Sequence, residues 1–278
     1  MRRSVNGGIK LKKIIAAHDL SGLGKASLGA VIPIISAMGS VVRSLPTAVL
    51  STITGVFEGY EITDLTEQMK KTIEHWKKLN IGFDCIYSGF LGNSHQVDII
   101  ISAIKSFACY AVVDPVFADN GKLYPTMDNT MVENMRRLVK YADLITPNIT
   151  EAQFLLGESE RCKDESEAMQ WLVRLCEMGP RRAVITSCKL GNDMLVVSYD
   201  KDTGIFNKLK YEYVPFEFHG TGDIFTSVLT GALLRGDGFE EAISLAADFV
   251  KKAIRETIDS GGEARMGVLV EKVLCELI

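Results

Sequence analysis

The stretch Ile14-Ile15-Ala16-Ala17-His18-Asp19-Leu20-Ser21-Gly22-Leu23-Gly24 decides how the rest of the chain is read. An apolar run of strand length stops at a pair of polar residues and two closely spaced glycines. A helical pattern follows over roughly Ala26 to Met38. Strand, tight turn and helix in that order open an α/β unit. A turn alone explains the glycines but leaves His18 and Asp19, at the carboxyl end of the strand, without a reason.

The same alternation recurs downstream. Apolar strands are predicted at Val41 to Leu50, Cys85 to Gly89, Tyr110 to Asp114, Leu144 to Asn148 and Ala183 to Ser187. Helices are predicted between them, over Leu65 to Leu79 (with Asp64 as N-cap), Val97 to Ile104, Met131 to Tyr141, a short one from Thr150, and Asp164 to Met178. Met194 to Tyr199 and Lys208 to Val214 have no helix between them and predict an antiparallel ribbon. The chain closes on helical patterns at Ile224 to Leu234, Ala242 to Ile258 and Val268 to Leu277. The strand runs are continuously apolar, as strands buried on both faces are. The expected fold is therefore α/β: a three-layer αβα arrangement with a mostly parallel central sheet flanked by helices. With neither linker nor repeat, residues 1–278 are expected to form one domain, residues 1–12 being a frayed N-terminus.

Composition removes several function classes. Of 278 residues, 47% are hydrophobic and 24% charged, ordinary for a soluble globular protein. A net charge of −4 offers no basic footprint for nucleic acid. No apolar run reaches the ~18 residues of a membrane span, and the N-terminus lacks a signal-peptide core, so a cytoplasmic location is expected. The six cysteines contain no C-x-x-C pair and predict neither a zinc site nor a disulfide framework.

Ligands of such sheets sit at the carboxyl ends of the strands. Here those ends are polar where the strands are not: His18-Asp19, Ser51 to Thr54, Ser88-Gly89, Asp114, Thr146 to Asn148, and Thr186-Ser187. Gly22-Leu23-Gly24-Lys25-Ala26-Ser27 fits neither common nucleotide template. The dinucleotide fingerprint lacks its closing glycine and the acid after the second strand, and a P-loop would need Ser or Thr after Lys25. Gly220-Thr221-Gly222-Asp223 is more informative. Two glycines ahead of a helix leave first-turn N–H groups free to face an anion, with the helix dipole adding positive charge. Asp223 is then either an ordinary first-turn acid or a base beside an anion hole. Asp114 and Glu151, with the Asn148 amide, are hard oxygen ligands of the kind Mg²⁺ takes, although Asn148 or Thr150 with Glu151 also reads as a plain helix cap. Thr186-Ser187 either touches a nucleotide phosphate or only ends a strand.

Taken together, Asp114-Pro115-Val116, Thr146-Pro147-Asn148-Ile149-Thr150-Glu151, Ile185-Thr186-Ser187 and Gly220-Thr221-Gly222-Asp223 resemble, in order and spacing, the ribokinase superfamily, and within it the pyridoxal/pyridoxamine kinases. Ser88 to Gly92, Asp119 to Tyr124 and Ala142 to Ile145 support the resemblance, which runs from about Lys13 to the C-terminus. It implies ATP-dependent phosphorylation of the 5′-hydroxymethyl group of a vitamin B6 compound. Asp223 would be the base, and the N–H groups of Gly220, Thr221 and Gly222 the anion hole. Asp114, Asn148 and Glu151 would hold Mg²⁺ and its waters. Thr186 and Ser187 would meet the nucleotide, with Asp119, Tyr124 and Thr146 near phosphates or a monovalent cation such as K⁺. His18 or Asp19, Thr54 and Phe90 would line the pyridine pocket, and a homodimer is implied.

The chain departs from the family pattern only in that pocket. Ile53 stands where His is common, Phe90 where Tyr is common, and His18-Asp19 where Ser-His is common. The His18-Asp-x-Ser-Gly pattern is also similar to hydroxymethylpyrimidine kinases, so that activity, or another small-alcohol kinase, is the nearest alternative. A non-catalytic nucleotide- or vitamin-binding sensor is the alternative from another class.

Overall fold

The computed structural model describes residues 11–54, 56–190, 193–211 and 218–278. The first part of the chain runs β1 (Lys13–Ala17), β2 (Leu20–Ser21), α1 (Leu28–Ala37), β3 (Val41–Ser44), β4 (Ala48–Leu50), β5 (Ile62–Asp64), α2 (Thr66–Lys78), β6 (Cys85–Ser88) and α3 (Ser94–Phe107). Then come β7 (Tyr110–Val113), β8 (Ala118–Asp119), β9 (Lys122–Leu123), α4 (Asn129–Val139), β10 (Leu144–Ile145), α5 (Ile149–Leu156) and α6 (Glu165–Glu177). The chain ends with β11 (Arg182–Leu190), β12 (Asp193–Asp200), β13 (Ile205–Tyr211), α7 (Thr221–Arg235), α8 (Phe239–Asp259) and three 3₁₀ turns.

An eight-stranded sheet in the order β13-β12-β11-β10-β7-β6-β1-β3 forms the middle layer. From β3 to β11 the neighbours pair parallel, and β12 and β13 add the antiparallel ribbon. Strand order reverses at β1, since β3 lies on one side of it and β6 on the other. A crevice therefore opens there at the carboxyl ends of the strands.

Residue alternation separates two cores. Ile15, Ile86, Ala111 and Ile145 face α2 to α6, packing with Met69, Ile100, Met135 and Trp171. Ile14, Ala16, Tyr87, Val112 and Leu144 face α1, α7 and α8, packing with Val31, Val228 and Phe249. None of the helices among the described residues is long and apolar enough to cross a membrane.

Two expectations need correction, and one segment for which no element was expected forms a hairpin. Val41 to Leu50 is two strands in different sheets, because Pro46 has no N–H to continue a ladder and the chain crosses to a small sheet of β2, β4 and β5. The polar loop Ala118 to Asp128 contains a hairpin, β8–β9, turned by Asn120 and Gly121 at φ 51° and 78°, the left-handed pair that a tight two-residue turn requires. Val268 to Leu277 is not an α-helix but 3₁₀ turns. Its Leu269 N–H goes instead to the Thr257 hydroxyl on α8 at 2.9 Å, and Gly267 at φ 80° lies against the Lys25 backbone. Of the expected ribbon, residues 212–214 lie outside the described residues, as do residues 1–10 of the expected frayed end.

Candidate active site

The register of the sheet puts one row of residues just beyond the strands. Ala17, Ser88, Val113 and Ile145 are in register. One residue later come His18, Gly89, Asp114 and Thr146. Backbone bonds extend the ladder to them, from Gly89 N–H to Ala17 C=O at 3.0 Å and from Asp114 N–H to Ser88 C=O at 2.9 Å. Period two sends this row to the same face as Ile14 and Leu144, toward α7. Thr146 confirms the direction, its Oγ1 accepting from Thr226 of α7 at 2.9 Å.

The first turn of α7 meets that row. Gly220 precedes the helix at φ 83°, and a Cβ there would come within 2.3 Å of the Lys25 carbonyl oxygen. Glycine is thus required both by conformation and by the close approach of the first-strand turn. The first intrahelical bond runs from Ile224 N–H to Gly220 C=O at 3.0 Å. The N–H groups of Thr221, Gly222 and Asp223 precede it, and no side chain caps them. They form a cradle for an oxyanion. Asp223 Oδ2 accepts the Ser27 N–H at 2.9 Å, and its Oδ1 lies 3.6 Å from His18 Nδ1. Its carboxylate is 12% exposed, so it is held firmly yet remains reachable.

Asp19 lies in the same corner. Its carboxylate accepts Ser27 Oγ and, at 3.0 Å, Ser21 Oγ. Burial pushes its pKa up, with the charge of Asp223 adding to the shift.

Asp114 and Glu151 are both nearly inaccessible. Glu151 Oε2 accepts the Asn148 N–H at 2.9 Å while Oε1 accepts the Phe117 N–H at 3.1 Å. Asn148 returns the bond, its Oδ1 accepting the Glu151 N–H at 2.9 Å, and its Nδ2 donates to the Ala118 C=O at 2.8 Å. The two residues therefore form a capping box on α5, with Asn148 as the N-cap. Burial raises both carboxyl pKa values well above the usual range. Repulsion from Asp223 adds to the rise at Asp114, and repulsion from Asp114 adds to it at Glu151. Neither carboxylate has an ion pair among the described residues. Buried, mutually repelling hard-oxygen donors of this kind fit a divalent cation.

The remaining predicted residues sit around this centre. Tyr124 is largely buried, and its phenol pKa is raised by burial first, then by Glu151, Asp119 and Asp114. Asp119 is exposed on the β8–β9 hairpin, accepting the Asn120 N–H at 2.7 Å. Thr186 and Ser187 occupy a β-bulge, since the β11–β12 register shifts between Ile185 and Cys188. The Thr186 N–H donates to the Pro147 C=O at 3.0 Å, linking the bulge to the Asn148 turn. Thr54 follows Ile53 in the turn after β4, beside Gly55, which is outside the described residues. Phe90 packs into the core, and its C=O accepts Thr47 Oγ1 at 2.9 Å. His18 is fully buried beneath Asp223.

Four participants were given no role in the sequence. Ser27 supplies the N–H to Asp223 and the hydroxyl to Asp19. Thr226 lies one turn after Asp223 on α7, and this i, i+3 spacing was a readable signal. Tyr87 is a phenol inside an apolar strand, set edge-on to His18 with ring centroids 4.3 Å apart. Gly89 leaves the space that the His18 ring occupies.

This parallel sheet, with an acidic and hydroxylic row facing an uncapped glycine-led helix, defines the chain as a ribokinase-like α/β protein. More particularly, it belongs to the phosphomethylpyrimidine kinase family, whose model matches residues 27–267. A Bacteroides thetaiotaomicron protein, provisionally assigned as a phosphomethylpyrimidine kinase and solved in a crystal form with pyridoxal, is 43% identical. It superposes with a TM-score of 0.91 over 96% of each chain. Pyridoxal kinase from Lactobacillus plantarum is 29% identical, with a TM-score of 0.90 over 96% of this chain and 97% of that one. Pyridoxal kinase from Arabidopsis thaliana is 28% identical over 73% of this chain, and the match spans 66% of that relative's length.

Proposed function

We propose that the chain transfers the γ-phosphate of ATP to the 5′-hydroxymethyl group of pyridoxal, pyridoxamine or pyridoxine. The observation that carries this reading is Asp223, which stands in the first turn of an uncapped helix and across from the buried Asp114. Phosphoryl transfer asks for little besides positioning and stabilisation of charge. Asp223 Oδ1 takes the hydroxymethyl proton as the alcohol oxygen bonds to the γ-phosphorus. The bond from that phosphorus to the β-phosphate oxygen breaks, and ADP leaves with the electron pair. The expected anion hole of Gly220, Thr221 and Gly222, extended by the Asp223 N–H one position further into the turn, would face the charge that builds on the transferring group. Mg²⁺, when bound, neutralises phosphate charge. Asp114 and Glu151 would hold it, with Asn148 fixing Glu151 and keeping one Oδ1 lone pair of its own. Thr186 and Ser187 would meet the nucleotide, and Tyr124, Asp119 and Thr146 the phosphates or a monovalent cation. Thr54, Asp19 and the Phe90 backbone would border the ring compound. The family resemblance supports a homodimer, which light scattering at micromolar concentration checks.

The experiment pairs a substrate panel with one mutant. Wild-type protein should phosphorylate a B6 vitamer with ATP. Asp223→Asn should lose kcat by roughly 10²–10⁴-fold, the range of a positioned base, with ATP binding nearly unchanged. Full turnover in that variant would show that another group is the base. A second reading, phosphorylation of hydroxymethylpyrimidine, is favoured by the matched family and by His18-Asp19-x-Ser21-Gly22. A higher kcat/KM on the pyrimidine than on every B6 vitamer would select it. Binding of ATP without turnover of any alcohol would select the sensor.

A further inference from the structure

We propose that His18 is a positioning residue for Asp223. It acts from behind the carboxylate, not from the wall of the substrate pocket. The sheet register brings it there, since His18, Gly89 and Asp114 follow one another across the row beyond β1, β6 and β7. The middle member of that row is glycine. A Cβ on Gly89 would lie 2.3 Å from His18 Nδ1 and 2.5 Å from Cε1, so the imidazole lies across the space a side chain would have filled. Tyr87 closes the other side, edge-on at 4.3 Å and 79°. Boxed in this way, the ring is fully buried.

A buried imidazole kept only for packing ordinarily has a hydrogen-bond partner on at least one nitrogen. Neither nitrogen of His18 has one among the described residues. Nδ1 instead faces Asp223 Oδ1 at 3.6 Å, while the other oxygen of that carboxylate is already fixed by the Ser27 N–H at 2.9 Å. The carboxylate is thus gripped at one oxygen and faced by an unused nitrogen at the other. Catalytic hydrogen bonds are commonly long before substrate binds and shorten in the reactive complex. In the tautomer with its hydrogen on Nδ1, His18 completes the grip as Asp223 closes on the alcohol, and the free lone pair of Oδ1 is turned toward the hydroxyl. His18 touches no reacting atom. Its contribution is the orientation of the base, and therefore falls on kcat.

The test uses two substitutions and one background. His18→Leu keeps the volume and removes the donor, whereas His18→Asn puts an amide nitrogen close to the place of Nδ1. H18L should lower kcat by about 10²-fold, the effect of a base misplaced by around an ångström, with KM for ATP and for the alcohol within about threefold of wild type. H18N should restore at least about a third of the wild-type kcat. In an Asp223→Asn background, H18L should cost nothing further, because a residue that acts through Asp223 has nothing left to orient. H18L turning over at the wild-type rate overturns the assignment. So does H18N that is as slow as H18L while melting like wild type, or an equal cost of H18L in both backgrounds. The assignment rests on the kinase reading, and the two fail separately. A wild-type protein that phosphorylates no alcohol refutes the kinase, whereas an active wild type indifferent to H18L refutes only the role of His18.

Discussion

Replacing Gly89 with alanine adds one methyl group where the first and third strands of the α/β pattern meet the site. The new Cβ would stand 2.3 Å from His18 Nδ1, 2.5 Å from Cε1 and 3.3 Å from Cγ. Unstrained contacts begin near ~3.5 Å, so the ring must move by roughly 1 Å. It has little room to do so, with Tyr87 edge-on at 4.3 Å and Asp223 Oδ1 3.6 Å from Nδ1. Overpacking a closed site in this way costs about 1–3 kcal/mol. In a chain of this size that is a fall in Tm of roughly 2–5 °C. Displacement by about an ångström next to the base should also lower kcat by up to about 10²-fold. Thermal melts followed by circular dichroism and steady-state turnover at saturating ATP measure both. Combining G89A with His18→Ala removes the clashing ring, so the double mutant should regain part of the lost Tm, a coupling of at least ~0.5 kcal/mol. If G89A melts and turns over like wild type, the His18 ring is not held against Gly89, and the account of the row beyond the strands is wrong.

Two further outcomes follow from the acidic pair. Both Asp114 and Glu151 bind their protons more tightly folded than unfolded. Their contribution to stability is therefore fully present below the ordinary values of 3.8 and 4.5, and is lost as pH rises through the raised folded values. Cation-free protein should accordingly lose Tm through this pair as pH rises above the ordinary carboxylate range, Mg²⁺ should restore it at the upper end, and Asp114→Asn should flatten both responses. A Tm at about pH 8 unmoved by millimolar Mg²⁺ would argue against a cation site at these carboxylates. Glu151→Gln replaces one acceptor oxygen with an NH₂ group facing the Phe117 or Asn148 N–H, leaving a buried donor unpaired. It should cost about 1–3 kcal/mol, read as a lower urea midpoint with an unchanged m-value.

Much of this molecule was readable from residue order alone. Continuous apolar runs between helical patterns determined a mostly parallel sheet, and the polar residues at their carboxyl ends marked the edge of it where the proposed ligands would bind. Gly220 to Asp223 was readable because glycine, helix start and acid are adjacent in the chain. The break at Pro46 and the 3₁₀ path of the C-terminus were misread, because both depend on partners distant in sequence: a separate small sheet for β4, and Thr257 for Leu269. The row itself was decided only by tertiary structure. His18, Gly89 and Asp114 become neighbours through the register of β1, β6 and β7, and no local propensity reports a register. Capping or cation binding at Asn148 and Glu151 was open in the sequence, and the fold shows that the capping bonds are made while Asp114 and Glu151 stay buried and repelling. Whether a histidine after a strand faces solvent, substrate or a carboxylate depends on what stands opposite it. Here a glycine at the end of the neighbouring strand leaves room for the ring, and a helix some two hundred residues on supplies the acid.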